Sequence, residues 1–69
     1  MKIYADTQTF MRTRIIKGLS QRELAKQAGI SSGYISLIER SKKSVSPGTA
    51  KKLSEILDKE TEELFRFQP

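Results

Sequence analysis

The sequence contains no cysteine and no histidine. Without cysteine there can be neither a disulfide framework nor a thiolate metal site. Without histidine, a zinc ion would have only carboxylates as ligands, and histidine-dependent general-base or triad chemistry is impossible. We therefore predict a protein that is not an enzyme and that holds no metal and no cofactor.

Long apolar runs are also missing. No stretch approaches the roughly 20 apolar residues that a membrane span requires. The first residues, Met1–Asp6, lack the apolar segment of a secretory signal. We expect a reducing, intracellular setting with no membrane association.

Acidic residues are scarce through most of the chain. The 69 residues carry 13 basic and 8 acidic side chains, for a net charge of +5. Residues 1–54 hold 11 basic and 3 acidic side chains, whereas residues 55–69 hold 2 basic and 5 acidic ones. A polyanion would be attracted to the first part and repelled by the second. The alternative is that the basic residues are simply a solvated surface.

Residues 20–39 have the pattern of two short helices joined by a tight turn. Ser20 is a favourable N-cap and Glu23 stands three residues later, which is the spacing of a capping box. Gly29 can adopt the left-handed conformation that ends the first helix, and Ser31 caps the second. A helix-turn-helix of this kind, here at about residues 20–40, can place its second helix in the major groove of DNA.

The remaining sequence predicts three further helices and no sheet. Asp6 or Thr7 caps the first helix, and Ser46 with Pro47 begins the fourth. The predicted bounds of the five helices are about 7–17, 21–28, 32–40, 47–58 and 61–65. We expect residues 1–69 to form one all-α domain, a compact five-helix bundle, with flexible ends at Met1–Ala5 and Phe67–Pro69.

The predicted core is formed by apolar side chains that share the inner faces of these helices. It consists of Phe10, Leu19, Leu24, Ala25, Ala28, Ile30, Ile35, Ile38, Leu53, Ile56, Leu57 and Leu64.

Four segments, in order and at the family's spacing, resemble the Cro/repressor helix-turn-helix family of bacterial and phage transcriptional regulators, which is also called Xre-type or lambda-repressor-like. They are GLSQRELA at 18–25, AGIS at 28–31, YISLIER at 34–40 and EELF at 62–65. The resemblance covers about residues 10–65. It implies a lambda-repressor-like fold and a sequence-specific DNA-binding regulator. We expect a repressor that acts in the cytoplasm and lies on the nucleoid when bound to DNA.

The resemblance also assigns base contacts by position. Family members read bases from the start and outer surface of helix 3, where this chain has Ser32, Gly33, Ser36 and Leu37. Serine hydroxyls can donate or accept, and Leu37 can pack on a thymine methyl group. Gly33 has no side chain, and this surface lacks Asn and Gln. We therefore expect few bidentate contacts and a contribution from DNA shape.

Contacts to the sugar-phosphate backbone are expected from the flanking positions. Gln21 begins helix 2, where free N–H groups and the positive end of the helix dipole favour a phosphate. The loop after helix 3 runs beside the DNA backbone in this family. The phosphate-contact candidates are Gln21, Ser31, Tyr34, Arg40, Lys42, Lys43 and Ser44. For Tyr34 two interpretations remain, a ring that packs on the domain and a hydroxyl that reaches a phosphate.

The family often pairs an arginine in helix 1 with a glutamate that ends helix 3. The matching residues are Arg14 and Glu39, and we predict that they form a structural ion pair. Besides Gly33, two further positions depart from the family. Thr13 stands where a large aliphatic residue is usual, and Ser41 stands where a glycine often follows helix 3. We expect the packing of helix 1 and the turn at Ser41 to differ locally.

A single module of this kind contacts few base pairs, so useful affinity usually requires two copies on half-sites about 34 Å apart. We expect a homodimer on a near-palindromic operator in double-stranded DNA. The candidate dimer surface lies around helices 4 and 5, at Leu64, Phe65 and Phe67. The alternative function is a protein-interaction module, such as an antitoxin or antirepressor, that binds a protein partner through the same surface.

Overall fold

The structure is a computed structural model that describes all 69 residues, Met1–Pro69. Its elements follow in the order β1, α1, α2, α3, α4, α5 and β2. Their bounds are Lys2–Ala5, Thr7–Ile16, Gln21–Ala28, Ser32–Glu39, Pro47–Leu57, Thr61–Leu64 and Phe65–Gln68. Five helices thus lie between two short strands that come from opposite ends of the chain.

Each of the first four helices begins at a side-chain cap. Asp6, Ser20, Ser31 and Ser46 each accept a hydrogen bond from the backbone N–H three residues later. Such a cap satisfies one of the donors that a helix start leaves unpaired. The local sequence therefore determines where these helices begin, and the predicted starts agree with the structure.

The helix-turn-helix consists of α2 and α3. The capping box between Ser20 and Glu23 is complete at the start of α2. Gly29 ends this helix with φ at +73°, in the left-handed region that glycine adopts at little steric cost. Ser31 caps α3 two residues later, so the turn between the helices is as short as the sequence predicted.

The two strands pair antiparallel and form a small sheet, which we call the terminal ribbon. Ile3 lies opposite Phe67, and Ala5 lies opposite Phe65. The backbone N–H of Asp6 extends the pairing with a 2.8 Å hydrogen bond to the carbonyl oxygen of Leu64. The prediction of an all-α fold without a sheet was therefore wrong in this detail. Lys2–Ala5 is a strand where Met1–Ala5 was expected to be flexible. Phe65–Gln68 is a strand where helix 5 was expected to reach Phe65 and a flexible end was expected from Phe67.

The core is formed by helix faces and by the inner face of the terminal ribbon. Seven large side chains are fully buried: Phe10, Leu24, Ile35, Ile38, Leu53, Leu57 and Leu64. The ring of Phe10 meets the ring of Phe65 edge to face, with 5.9 Å between the ring centroids. This geometry is a favourable one for aromatic pairs, so the contact fixes β2 on α1.

The predicted core needs two corrections. Leu19, Ile30 and Ile56 are only partly buried and pack at its edge. The prediction also missed Ile3, Ala5, Val45, Ala50 and Phe65, which are all buried. Most of these lie in the terminal ribbon or against it, so the error follows from the missed sheet.

None of the helices has both the length and the apolar character that a membrane span needs.

Candidate nucleic-acid interface

A buried polar network fixes α3 on α1 and α2. The Nε atom of Arg14 donates to Oε1 of Glu39 at 2.7 Å, and its Nη1 atom donates to the carbonyl oxygen of Leu19 at 2.8 Å. The side chains of Arg14 and Glu39 are 12% and 6% exposed. This is the ion pair that the sequence predicted. Because it joins the last residue of α3 to α1, it sets the orientation of α3.

Gln21 belongs to the same network. Its Nε2 atom donates to Oε2 of Glu39 at 2.8 Å, so the side-chain amide is directed into the domain. The groups left free at the start of α2 are the backbone N–H groups of Gln21 and Arg22, since the hydroxyl of Ser20 accepts only from Glu23 and its carbonyl oxygen accepts from Leu24. Two unpaired N–H groups at the positive end of a helix are suited to an anion.

The base-contact candidates lie on α3 with different degrees of exposure. Ser32 and Gly33 are exposed in the first turn. Ser36 and Leu37 are partly buried further along the helix. A Cβ atom added at Gly33 would meet no atom within 4 Å, so the space above this residue is open. The start of α3 is therefore the part that a DNA groove could approach without moving a side chain.

Ser31 and Tyr34 both have partners within the protein. The hydroxyl of Ser31 accepts from the backbone N–H of Tyr34 at 3.1 Å, as the cap of α3. The ring of Tyr34 packs against the core, and its hydroxyl donates to the carbonyl oxygen of Ser44 at 3.3 Å. Of the two interpretations of Tyr34, the structure has the packed ring, with the hydroxyl directed to the loop after α3.

The other phosphate-contact candidates lie in this loop, residues 41–46, or at Arg40 directly before it. Arg40, Lys42 and Lys43 are exposed. Arg40 donates through Nε to the carbonyl oxygen of Ser36, 3.2 Å away. Neither lysine side chain makes a hydrogen bond or ion pair within the protein, so both ammonium groups are available to a phosphate.

The pKa values of two cap carboxylates are lowered. Asp6 accepts from the backbone N–H of Thr9 and then from Arg66, whose Nη2 atom is 3.0 Å from Oδ2 of Asp6, and these interactions lower the pKa of Asp6. The hydrogen bond from the backbone N–H of Ser20 lowers the pKa of Glu23. Both carboxylates stabilise helix starts and lie at the surface, so their shifts indicate capping rather than catalysis.

Comparison with known proteins identifies the family. A family model described as helix-turn-helix matches residues 11–64. The chain belongs to the Xre/Cro-like helix-turn-helix family. It is accordingly a DNA-binding transcriptional regulator, as the sequence predicted, and its relatives in this family are regulators rather than enzymes.

Solved structures of similar proteins superpose well on the chain. The restriction-modification controller protein C.AhdI from Aeromonas hydrophila is 37% identical, with a TM-score of 0.75, over 83% of this chain and 86% of that one. SinR, the master regulator for biofilm formation, in complex with DNA is 35% identical, with a TM-score of 0.73, over 81% of this chain and 90% of that one. A putative DNA-binding protein from Bacteroides fragilis shares the fold, with 23% identity, a TM-score of 0.77, and coverage of 93% and 98%. No curated protein matches the chain.

The expected dimer surface is largely absent in this family member. Leu64 is fully buried and Phe65 is 2% exposed, so neither is available to a partner. Their burial has a physical cause, since Leu64 ends α5 inside the core and Phe65 packs on Phe10. Phe67 is 44% exposed and is the one candidate that lies at the surface. The alternative function, a protein-interaction module, was expected to use the same surface, so Leu64 and Phe65 are not available to a protein partner either.

Residues outside the helix-turn-helix also act on the loop after α3, and they were not predicted from the sequence. Ile3, Ala5 and Thr7 contact the loop after α3 through hydrogen bonds. The available signal was the alternation of apolar and polar residues in KIYA at 2–5 and FRFQ at 65–68, which is typical of strands.

Proposed function

We propose that the chain is a repressor that binds a near-palindromic operator as a homodimer, with α3 in the major groove of each half-site. The observation that carries this proposal is the combination of three features on α2, α3 and the following loop. These are the free N–H groups at the start of α2, the open first turn of α3, and the unpaired lysines 42 and 43. Phosphate contacts on both sides of a groove-reading helix are what a helix-turn-helix requires.

Base contacts in this proposal come from Ser32, Gly33, Ser36 and Leu37. Phosphate contacts come from the backbone at Gln21 and from Arg40, Lys42 and Lys43. The side chains of Ser31 and Tyr34 support the interface through the cap and the loop, because their hydroxyls have protein partners. Such a regulator would act in the cytoplasm, on the nucleoid.

The size of the chain favours a dimer that forms by direct contact. The chain measures 32 Å along its longest axis and about 20 Å across. Half-sites one helical turn apart are separated by about 34 Å from centre to centre. Two copies whose long axes follow the duplex would therefore be neighbours on adjacent half-sites, and Phe67 is our candidate for the contact.

The test is selection of bound sequences from random duplex DNA, repeated across salt concentrations. We expect enrichment of a near-palindrome and a log–log salt slope of several units. Sedimentation of the protein with the selected duplex should give two chains per duplex. Enrichment of a single half-site with one chain per duplex would contradict the homodimer, and salt-independent binding without an enriched sequence would contradict the operator-binding function.

A further inference from the structure

The loop that carries Lys42 and Lys43 is held by the protein at three points. At its start, the hydroxyl of Ser41 donates to the carbonyl oxygen of Ala5. Near its end, the hydroxyl of Tyr34 donates to the carbonyl oxygen of Ser44. The backbone N–H of Val45 donates to the carbonyl oxygen of Ile3 at 2.9 Å. The two lysines therefore lie on a segment that is fixed on both sides.

Two of these three attachments come from β1, the first strand of the terminal ribbon. A two-stranded sheet alone is marginally stable, but this one is supported by the core. Ile3, Ala5 and Phe65 are all buried, and Phe65 packs on Phe10. The terminal ribbon is thus anchored in the core, and its strand β1 is bonded to the loop that carries Lys42 and Lys43, which we call the lysine loop.

Ser41 bonds Ala5 from a strained backbone conformation. Its φ angle is +56°, in the left-handed region that glycine tolerates best. A glycine would relax the backbone but would remove the hydroxyl that bonds Ala5. Because that hydroxyl donates to Ala5, the hydroxyl of Thr7 at 3.1 Å is the donor to Ser41. A strained residue whose side chain completes a chain of hydrogen bonds indicates a functional constraint at this position.

We infer that the terminal ribbon, together with Tyr34 on α3, forms a clamp that holds the loop after α3 in the conformation that presents Lys42 and Lys43 to the DNA backbone, with Ser41 and Tyr34 as positioning residues. The inference rests on the proposed function, since DNA phosphates are the target of the two lysines. A loop that is ordered before binding loses less conformational entropy when it meets DNA. The clamp therefore favours affinity without contacting DNA.

The first test is Ser41→Gly. This change relaxes the strained backbone and removes the hydroxyl, so the two effects on thermal stability oppose each other. We expect the thermal midpoint to change little and the affinity for the selected operator to fall about threefold to tenfold. Full affinity in Ser41→Gly would overturn the inference.

Hydrogen exchange in the DNA-free protein measures how firmly the loop is held. Because no DNA is present, a role of Ser41 in direct phosphate contact would not change the exchange rates. The Val45 amide reports on the clamp because it donates to Ile3. We expect its exchange to be faster in Ser41→Gly, while the Leu24 amide in α2 stays unchanged. An unchanged Val45 amide would contradict the clamp. If the wild-type protein fails to bind DNA, the proposed function falls, and this measurement still decides whether the clamp exists.

Two tyrosines provide a matched pair of variants. Tyr34→Phe removes the hydroxyl that bonds Ser44, whereas Tyr4→Phe removes a hydroxyl that makes no hydrogen bond within the protein. We expect faster exchange at Val45 and weaker operator binding in Tyr34→Phe only. Equal behaviour of the two variants would contradict a role for Tyr34 in the clamp.

A double-mutant cycle tests whether Ser41 acts through the lysines. If it does, Ser41→Gly should have little effect on affinity when Lys42→Gln and Lys43→Gln are already present. Additive effects would show that Ser41 acts elsewhere and would overturn its assignment as a positioning residue.

Discussion

At the scale of single residues, Glu39 places a negative charge inside the protein. Its carboxylate is bonded by Arg14 and Gln21, and its side chain is 6% exposed. Truncation of Glu39 would leave the buried guanidinium of Arg14 without its partner. We predict that Glu39→Ala lowers the free energy of unfolding by about 3–5 kcal/mol, as measured by urea denaturation.

The double variant Arg14→Met, Glu39→Leu is the control for this prediction. Replacing both partners of a buried ion pair with apolar residues removes the two charges together, so it costs less than removing one. We expect the double variant to be more stable than Glu39→Ala. If it is less stable than Glu39→Ala, the ion pair itself, rather than the unpaired charge, determines the loss.

At the scale of elements, the two phenylalanines of β2 have opposite environments. Phe65 is 2% exposed and packs on Phe10, whereas Phe67 is 44% exposed. We predict that Phe65→Ala lowers the free energy of unfolding by about 3–5 kcal/mol and that Phe67→Ala lowers it far less. Thermal unfolding of the two variants measures this difference. Similar losses would contradict the burial of Phe65 against α1.

The helix starts make stability depend on pH. The pKa values of Asp6 and Glu23 are lowered by the backbone N–H groups that they cap. A lowered pKa in the folded state means that stabilisation is present above the ordinary pKa and is lost as pH falls through the folded value. We predict that the thermal midpoint falls below about pH 4, the ordinary range of carboxyl groups.

Asn and Gln test the origin of this acid dependence, because they keep the acceptor oxygen but do not titrate. Asp6→Asn combined with Glu23→Gln should flatten the fall in thermal midpoint between pH 5 and pH 3. Glu62→Gln is the matched control, since Glu62 is exposed and its side chain makes no hydrogen bond. An equal flattening in the control would contradict the assignment to the caps.

The helices could be predicted from the sequence, whereas the pairing of the two terminal strands could not, for a physical reason. Ser20, Glu23, Gly29 and Ser31 act on residues within four positions, so the sequence around α2 and α3 determines their bounds. The strands are four residues each and lie at opposite ends of the chain. Their pairing depends on non-local contacts that no local pattern encodes. The role of Ser41 could not be predicted for the same reason, because its hydroxyl bonds Ala5, which is far from it in the sequence. From the sequence, Ser41 was identified only as a departure from the family.

At the scale of the whole molecule, basic and acidic side chains are concentrated in different parts of the sequence. Acidic side chains gather around the end of α4 and the start of α5, where Glu55, Asp58, Glu60 and Glu63 line a cleft that contains no apolar residue. The lysine loop lies after α3, in the part of the chain with a basic excess. DNA approaching the protein should therefore be oriented by the electric field before any contact forms.

Salt dependence separates this general field from direct phosphate contacts at the lysine loop. Each phosphate neutralised by a cation contributes about 0.9 to the slope of log affinity against log salt concentration. We predict that Lys42→Gln with Lys43→Gln reduces the slope by about 2 on the selected operator. Fluorescence anisotropy with a labelled duplex, repeated from low to high salt, measures the slope.

The matched control is Lys51→Gln with Lys59→Gln, which removes the same charge beside the acidic cleft. Both double variants have the same net charge, so any effect of the overall field should be similar in the two proteins. If Lys42 and Lys43 contact phosphates directly, the salt slope should be lower in the Lys42→Gln, Lys43→Gln variant and not in the control. Equal slopes in the two variants would show that Lys42 and Lys43 act through the field, and that the clamped loop does not touch the phosphates.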